Sequence, residues 1–193
     1  MRIFFDAEFT GLHKDTTLIS IGLVTENGDR FYGEMTDYDE CQCTSWITEN
    51  VLKNTILSGN EKLAEELGED SKTLVVLGSS MDVANELREW LEKYNDTSIQ
   101  FISDVCHYDM VLLIDLLWEN AINIPANINP YCHDITGDII RHANVDEKTA
   151  FDISREQYLT DRGIALPKGQ KHNALYDAEV IGKIYDYFSI PFV

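Results

Sequence analysis

The chain has 193 residues, 44% of them hydrophobic and 25% charged, a balance too apolar for disorder and long enough for one domain with a sizeable core over residues 1–193. The 15 Lys and Arg stand against 34 Asp and Glu for a net charge of −19, which argues against tight, sequence-independent binding to long phosphate chains through basic side chains. Cysteines at 41, 43, 106 and 132 include no Cys-x-x-Cys, so neither a zinc site nor a disulfide framework is expected.

The start, Met1-Arg2-Ile3-Phe4-Phe5, turns acidic at once, and no apolar stretch approaches the length of a signal or a membrane span. A cytoplasmic protein with reduced thiols and no membrane partner is the expectation. Residues 2–5, 18–24 and 30–35 read as three opening strands, with a hairpin turn at Asn27-Gly28 joining the second and third. Residues 45–57 carry helical spacing in Trp46, Ile47, Val51 and Ile56, and residues 58–72 read as an exposed acidic loop or a loosely attached helix. A helix from Ser80 is expected to show Val83, Leu87, Trp90, Leu91 and Tyr94 on one face, with Ser79 and Asp82 as its cap. A buried strand over 99–103 and an apolar helix over 105–118 follow, and Asp109 falls in that helix.

Pro125 and Pro130 bracket a loop, residues 131–133 suit a short strand, and Asp134 or Thr136 suits the cap of a helix to about His142. Residues 143–171 have no regular period and contain Gly163, Pro167 and Gly169. The last helix is predicted over 174–188, with Ala174, Ala178, Ile181, Tyr185 and Phe188 as its inner stripe. There are no repeats and no low-complexity tracts. Three meander strands followed by alternating helix and strand predict an α/β fold, a mixed central sheet with helices on both faces, in which ligands gather at strand ends.

Three short islands lie where such a sheet would bring them together. Asp6 and Glu8, two apart on a strand, point the same way, so their carboxylates converge. Two such anions suit a hard divalent ion such as Mg²⁺ or Mn²⁺ rather than zinc; alternatively they are two solvated acids at a strand end. Asp109 sits among Tyr108, Met110, Val111, Leu112 and Leu113, where a charge is usually paired or metal-bound. The rival is an acid at an exposed helix start, a place Asp104 suits as well. His172 and Asp177 are five apart, about 140° around a regular helix. To serve one site, His172 must stand on the loop before the helix, with Asn173 as the cap. A histidine there suits a proton acceptor, since its unperturbed pKa of about 6.5 leaves much of it neutral at pH 7; a surface histidine beside a capped helix is the alternative.

Asp6-Ala7-Glu8-Phe9-Thr10-Gly11-Leu12, Tyr108-Asp109 and His172-Asn173-Ala174-Leu175-Tyr176-Asp177 resemble, in this order, the motifs of the DEDDh exonucleases of the DnaQ-like, RNase H-like superfamily. Asn173 stands where the sister DEDDy group carries tyrosine. The opening Arg2-Ile3-Phe4-Phe5-Asp6-Ala7-Glu8-Phe9, residues 18–24, Ser45-Trp46 and the last island are similar to the small RNase AS-type 3′-to-5′ exoribonucleases of bacteria and phages. Asp104-Val105 departs from the His-Asn of many polymerase-proofreading relatives, which tells against a proofreading role.

The resemblance implies hydrolysis of RNA from its 3′ end to nucleoside 5′-monophosphates by two Mg²⁺ or Mn²⁺ ions. It implies Asp6 as the bridging ligand, Glu8 and Asp177 on the first ion, Asp109 on the second, His172 as general base, and a homodimer. It further implies that Thr10, Gly11 and Leu12 cradle the terminal nucleotide, with Leu12 against its base. Phe9 is expected in the core. Arg162, Lys168 and Lys171 form one modest basic cluster leading into His172, either for substrate phosphates or as a solvated loop. Single-stranded DNA as substrate, a silent binding module of the same fold, and a phosphatase acting on free nucleotides are the competing readings.

Overall fold

The computed structural model describes residues 1–189, so the last residues of the 1–193 span lie outside it. β1 (Arg2–Phe9), β2 (Leu18–Thr25) and β3 (Arg30–Met35) form the expected antiparallel meander. β1 runs past the apolar residues 2–5 and carries Asp6 and Glu8 within the strand itself. On its other side β1 pairs in parallel with β5 (Gln100–Ser103), which pairs in parallel with β6 (His133–Asp134).

β4 (Thr73–Gly78) is a strand that the sequence reading passed over; it pairs in parallel with β3 and completes a six-stranded sheet ordered β4-β3-β2-β1-β5-β6. The segment expected as loop or loose helix contains α2 (Glu61–Gly68). β6 falls a residue or two later than the short strand expected at 131–133. Asp134, not Thr136, caps α5 (Ile135–Ala143), its side chain accepting from Thr136 N–H. The aperiodic region holds α6 (Glu147–Asp152) and α7 (Arg155–Thr160), two helices too short to show a 3.6-residue period.

Strand alternation sorts β1 onto two cores. Ile3, Phe5 and Ala7 pack with α3 (Ser80–Glu92) and α4 (His107–Trp118), through Val83, Leu87, Trp90 and Leu113 among others. Ser79 and Asp82 form the expected capping box at the start of α3. On the opposite face Phe4 joins Tyr176, Val180, Ile181 and Ile184 of α8 (Ala174–Ser189), with Tyr185 and Phe188 partly buried against them. Helices thus cover both faces of the sheet. α8 starts hard against β2: a Cβ on Gly22, which pairs with Asp6, would stand 2.3 Å from the backbone nitrogen of Leu175. Glycine at this register lets the first turn of α8 reach the acids of β1. Among the described residues no helix is long and apolar enough to cross a membrane.

Candidate active site

Because Phe4 faces α8, strand parity turns Asp6 and Glu8 to the same side. A register shift between Glu8 and Phe9 then ends the regular ladder with β2. β5 pairs with β1 only as far as Phe4, so the edge of β1 beyond it opens a crevice. At that edge Ala7 N–H donates to Asp109 Oδ1 at 2.9 Å, in place of a strand carbonyl. Asp109 lies in the first turn of α4 and is 7% exposed, which sets aside its reading as an acid at an exposed helix start.

His172 stands on the loop before α8, as the spacing required, with left-handed backbone at φ 63°. Its N–H donates to Asp177 Oδ2 at 2.8 Å, and the Asn173 side chain caps the helix by accepting from Tyr176 N–H. Its Nδ1 lies 3.8 Å from Glu8 Oε1, and its ring meets Trp46 edge-on, with centroids 5.1 Å apart. Trp46 comes from α1 (Ser45–Asn50), which continues into a short 3-10 turn, Leu52–Asn54. Asp6, Glu8, Asp109, His172 and Asp177 therefore line one cleft of about 740 Å³.

The electrostatics of the cleft are those of crowded anions. Burial, then the charges of Asp109, Asp177 and Glu8, push the Asp6 carboxyl well above the usual carboxylate range. Burial raises Asp109 to about 7, against the lowering effect of the Ala7 N–H. Burial and Glu8 raise Asp177 to about 7, partly offset by the His172 N–H. The cleft's arginine does not relieve them: Arg155 is spent on Asp104, with Nε to Oδ2 at 2.6 Å and a second nitrogen to Oδ1 at 2.7 Å. Glu8, His172 and Asp177 each offer a ligand atom within 4.8 Å of the others. The cleft's four carboxylates, oxygen-rich, desolvated and mutually repelling, fit hard divalent cations.

The residues expected around the substrate divide. Gly11 and Leu12 line the cleft, with Leu12 78% exposed at its mouth. Thr10 is buried outside the cleft lining, and its hydroxyl is engaged by Thr16, Thr17 and Gln42, which ties down the 10–17 loop. The basic cluster is taken apart by the fold. Lys171 lines the cleft, but Lys168 lines a separate concavity beside Glu179 and Lys183. Arg162 lies 3.5 Å over the ring of Tyr158. Phe9 packs against the core and stacks on Tyr108, while also lining the cleft.

Sequence reasoning missed the far wall. Phe151 of α6, 60% exposed, and Arg155 of α7 line it. An aromatic in a stretch without period was the only signal for Phe151, since its exposure is seen only in the fold; nothing in the sequence announced the Arg155–Asp104 pair.

Residues 1–188 match the family described as the 3′-5′ exoribonuclease Rv2179c-like domain. A 3′-5′ exoribonuclease of Mycobacterium tuberculosis, found in two strains, is 27% identical over 135 residues, which are 70% of this chain and 71% of that one. Among solved structures, the nuclease domain of 3′hExo, a DEDDh family member bound to rAMP, superposes with a TM-score of 0.61 at 12% identity, over 97% of this chain and 90% of that one. The Mg²⁺- and Mn²⁺-bound form of S. pombe Pop2p gives 0.52 at 16% identity, over 98% and 82%.

Proposed function

Since the chain belongs to the Rv2179c-like family of 3′-5′ exoribonucleases and shares the fold of DEDDh exonucleases, we propose that it hydrolyses RNA from the 3′ end by a two-metal mechanism with His172 as general base. The observation that carries this reading is the convergence of four carboxylates and one loop-borne histidine in a single cleft. Asp6, Glu8, Asp109 and Asp177 would hold the ions, Mg²⁺ or Mn²⁺. When bound, such ions supply Lewis-acid charge at the attacking and leaving oxygens of an in-line displacement.

The chain's own groups do the rest. The His172 imidazole takes a proton from the attacking water, and the resulting hydroxide forms a bond to the terminal phosphorus. The bond to the 3′-oxygen of the preceding nucleotide breaks and that oxygen takes a proton from solvent, freeing a nucleoside 5′-monophosphate and leaving a shortened strand with a 3′-hydroxyl, while the imidazolium returns its proton to solvent. Leu12 at the mouth offers an apolar surface to the terminal base, and Lys171 offers a positive charge to a neighbouring phosphate. A strand end held through cations also suits a net charge of −19, because bound ions reverse the local field. The homodimer and the cytoplasmic location belong to the same reading, the second in keeping with four free cysteines.

Digestion of matched RNA and single-stranded DNA oligonucleotides, with Mg²⁺ and with chelator, tests the proposal. Mononucleotides released from RNA in preference to DNA, and none with chelator, are expected. His172→Ala is expected to lower kcat by about 100-fold or more with divalent-ion affinity kept. Undiminished hydrolysis by that variant would remove the base assignment.

A further inference from the structure

The left-handed conformation of His172 needs an explanation, because the loop on either side of it must be held against relaxation. Asn54, at the end of the 3-10 turn and 4% exposed, grips both neighbours. Its side-chain amide donates to Lys171 O at 2.9 Å and to Asn50 O at 2.7 Å. Its own carbonyl accepts from the Asn173 side chain at 3.1 Å. Asn173 also donates to the hydroxyl of Tyr32 at 2.9 Å, and Tyr32 donates to Glu34 Oε1 at 2.7 Å. Glu34, 1% exposed, fastens the segment after Asn54 by accepting from the backbone N–H groups of Ile56 and Leu57 at 2.6 and 2.8 Å.

We infer that Asn54 is a positioning residue for His172, with Tyr32 and Glu34 as the anchor that fixes Asn54 to the sheet. None of the three lines the acidic cleft. The residues flanking His172 are bonded to one side chain and one carbonyl of the same residue, so the imidazole's place is set from a segment 118 positions earlier in the chain. Buried, fully engaged polar networks are rigid because each lost bond strands a partner away from water. Trp46, from the same segment, packs against the imidazole edge-on and completes the brace. This inference rests on the reading of His172 as general base.

The test is a double-mutant cycle on the full chain with Mg²⁺ and an RNA oligonucleotide, joined by thermal melting and by the imidazole NMR signal of His172 in chelator. Asn54→Ala is expected to lower kcat by about 10- to 100-fold, as a misplaced catalytic group does, with KM within about twofold. Tyr32→Phe, which keeps the ring and removes only the hydroxyl, is expected to lower kcat by about 3- to 10-fold. Both should broaden or shift the His172 signal, and neither should lower kcat further in a His172→Ala background. Wild-type kcat in folded Asn54→Ala and Tyr32→Phe, or losses that multiply with that of His172→Ala, would overturn the inference. Failure of both variants to melt cooperatively would also overturn it, assigning the network to folding alone. If His172→Ala keeps its kcat, the base assignment fails first; if His172→Ala is inactive while Asn54→Ala is not, only the positioning role fails.

Discussion

Val105 and His172 both hold left-handed backbone, at φ 50° and 63°, and both line the cleft. For a β-branched residue this conformation is a true outlier, costing about 1–2 kcal/mol. Val105 accepts it because the chain must turn from β5 into α4 with its N–H on Asp134 Oδ1 at 3.2 Å and its carbonyl accepting from His107 N–H at 2.7 Å. Val105→Asn is therefore expected to raise stability by about 1 kcal/mol, since asparagine tolerates this region; an unchanged or lower melting temperature would contradict the strain argument. Gly22 presents the opposite case. Its backbone approaches Leu175 too closely for any Cβ, so Gly22→Ala should cost about 3 kcal/mol or more and lower activity with it, by shifting Asp177 away from Asp6. Melting and rate measurements on the same preparation would check both effects. The two-residue spacing of Asp6 and Glu8 was readable because strand parity is geometric, and the five-residue spacing of His172 and Asp177 excluded a shared helix for the same reason. The close approach at Gly22 and the backbone conformation at Val105 were not readable, because they answer to partners about 30 to 150 residues away, beyond any local period.

At the level of elements, the far wall of the cleft hangs on one ion pair. Arg155 at the start of α7 reaches Asp104 at the end of β5 through two nitrogens, and also donates to the carbonyls of Ala150 and Ile153, both at 2.7 Å. With side chains 12% and 21% exposed, this pair is mostly shielded from solvent. Arg155→Ala should cost about 2–3 kcal/mol, the range for hydrogen bonds to charged groups. It should also loosen α6 and so Phe151, which limited proteolysis between residues 147 and 160 would detect; protection equal to that of the parent protein would refute the link. α6 and α7 escaped the sequence reading because six residues span fewer than two turns. β4 escaped for a different reason. Its run Leu74-Val75-Val76-Leu77 has no alternation, and it sits between an acidic stretch and a strong helix start. Its partner β3 was identified, but nothing local says that a parallel neighbour will return to it from residue 73. α8 and α3, longer and regularly spaced, were legible with their caps.

Taken whole, the molecule gathers negative charge where it needs it least for stability. Asp109 and Asp177 have carboxyls raised to about 7, and Asp6 is raised as well. A raised carboxyl in the folded state means that the native protein holds protons which the unfolded chain has already released. The stability contributed by these groups is present below the unfolded carboxylate range and is lost as pH climbs through about 7. Divalent ions bound among the carboxylates, as proposed, would offset this loss. The gap in melting temperature between Mn²⁺-loaded and chelated protein should therefore widen from pH 5.5 to pH 8, values chosen to span roughly the two raised carboxyls. A gap constant across that span would show that the ions bind elsewhere. The site also joins distant parts of the chain: Asp6 and Glu8 lie in the first strand, Asp109 in the middle, and His172 and Asp177 at the start of the last helix. During synthesis the N-terminal strands are made first, yet they have no Asp177 or His172 to work with until α8 docks over Gly22. On the proposed reading, hydrolysis would therefore need α8 docked on the sheet before Asp6 and Glu8 could act.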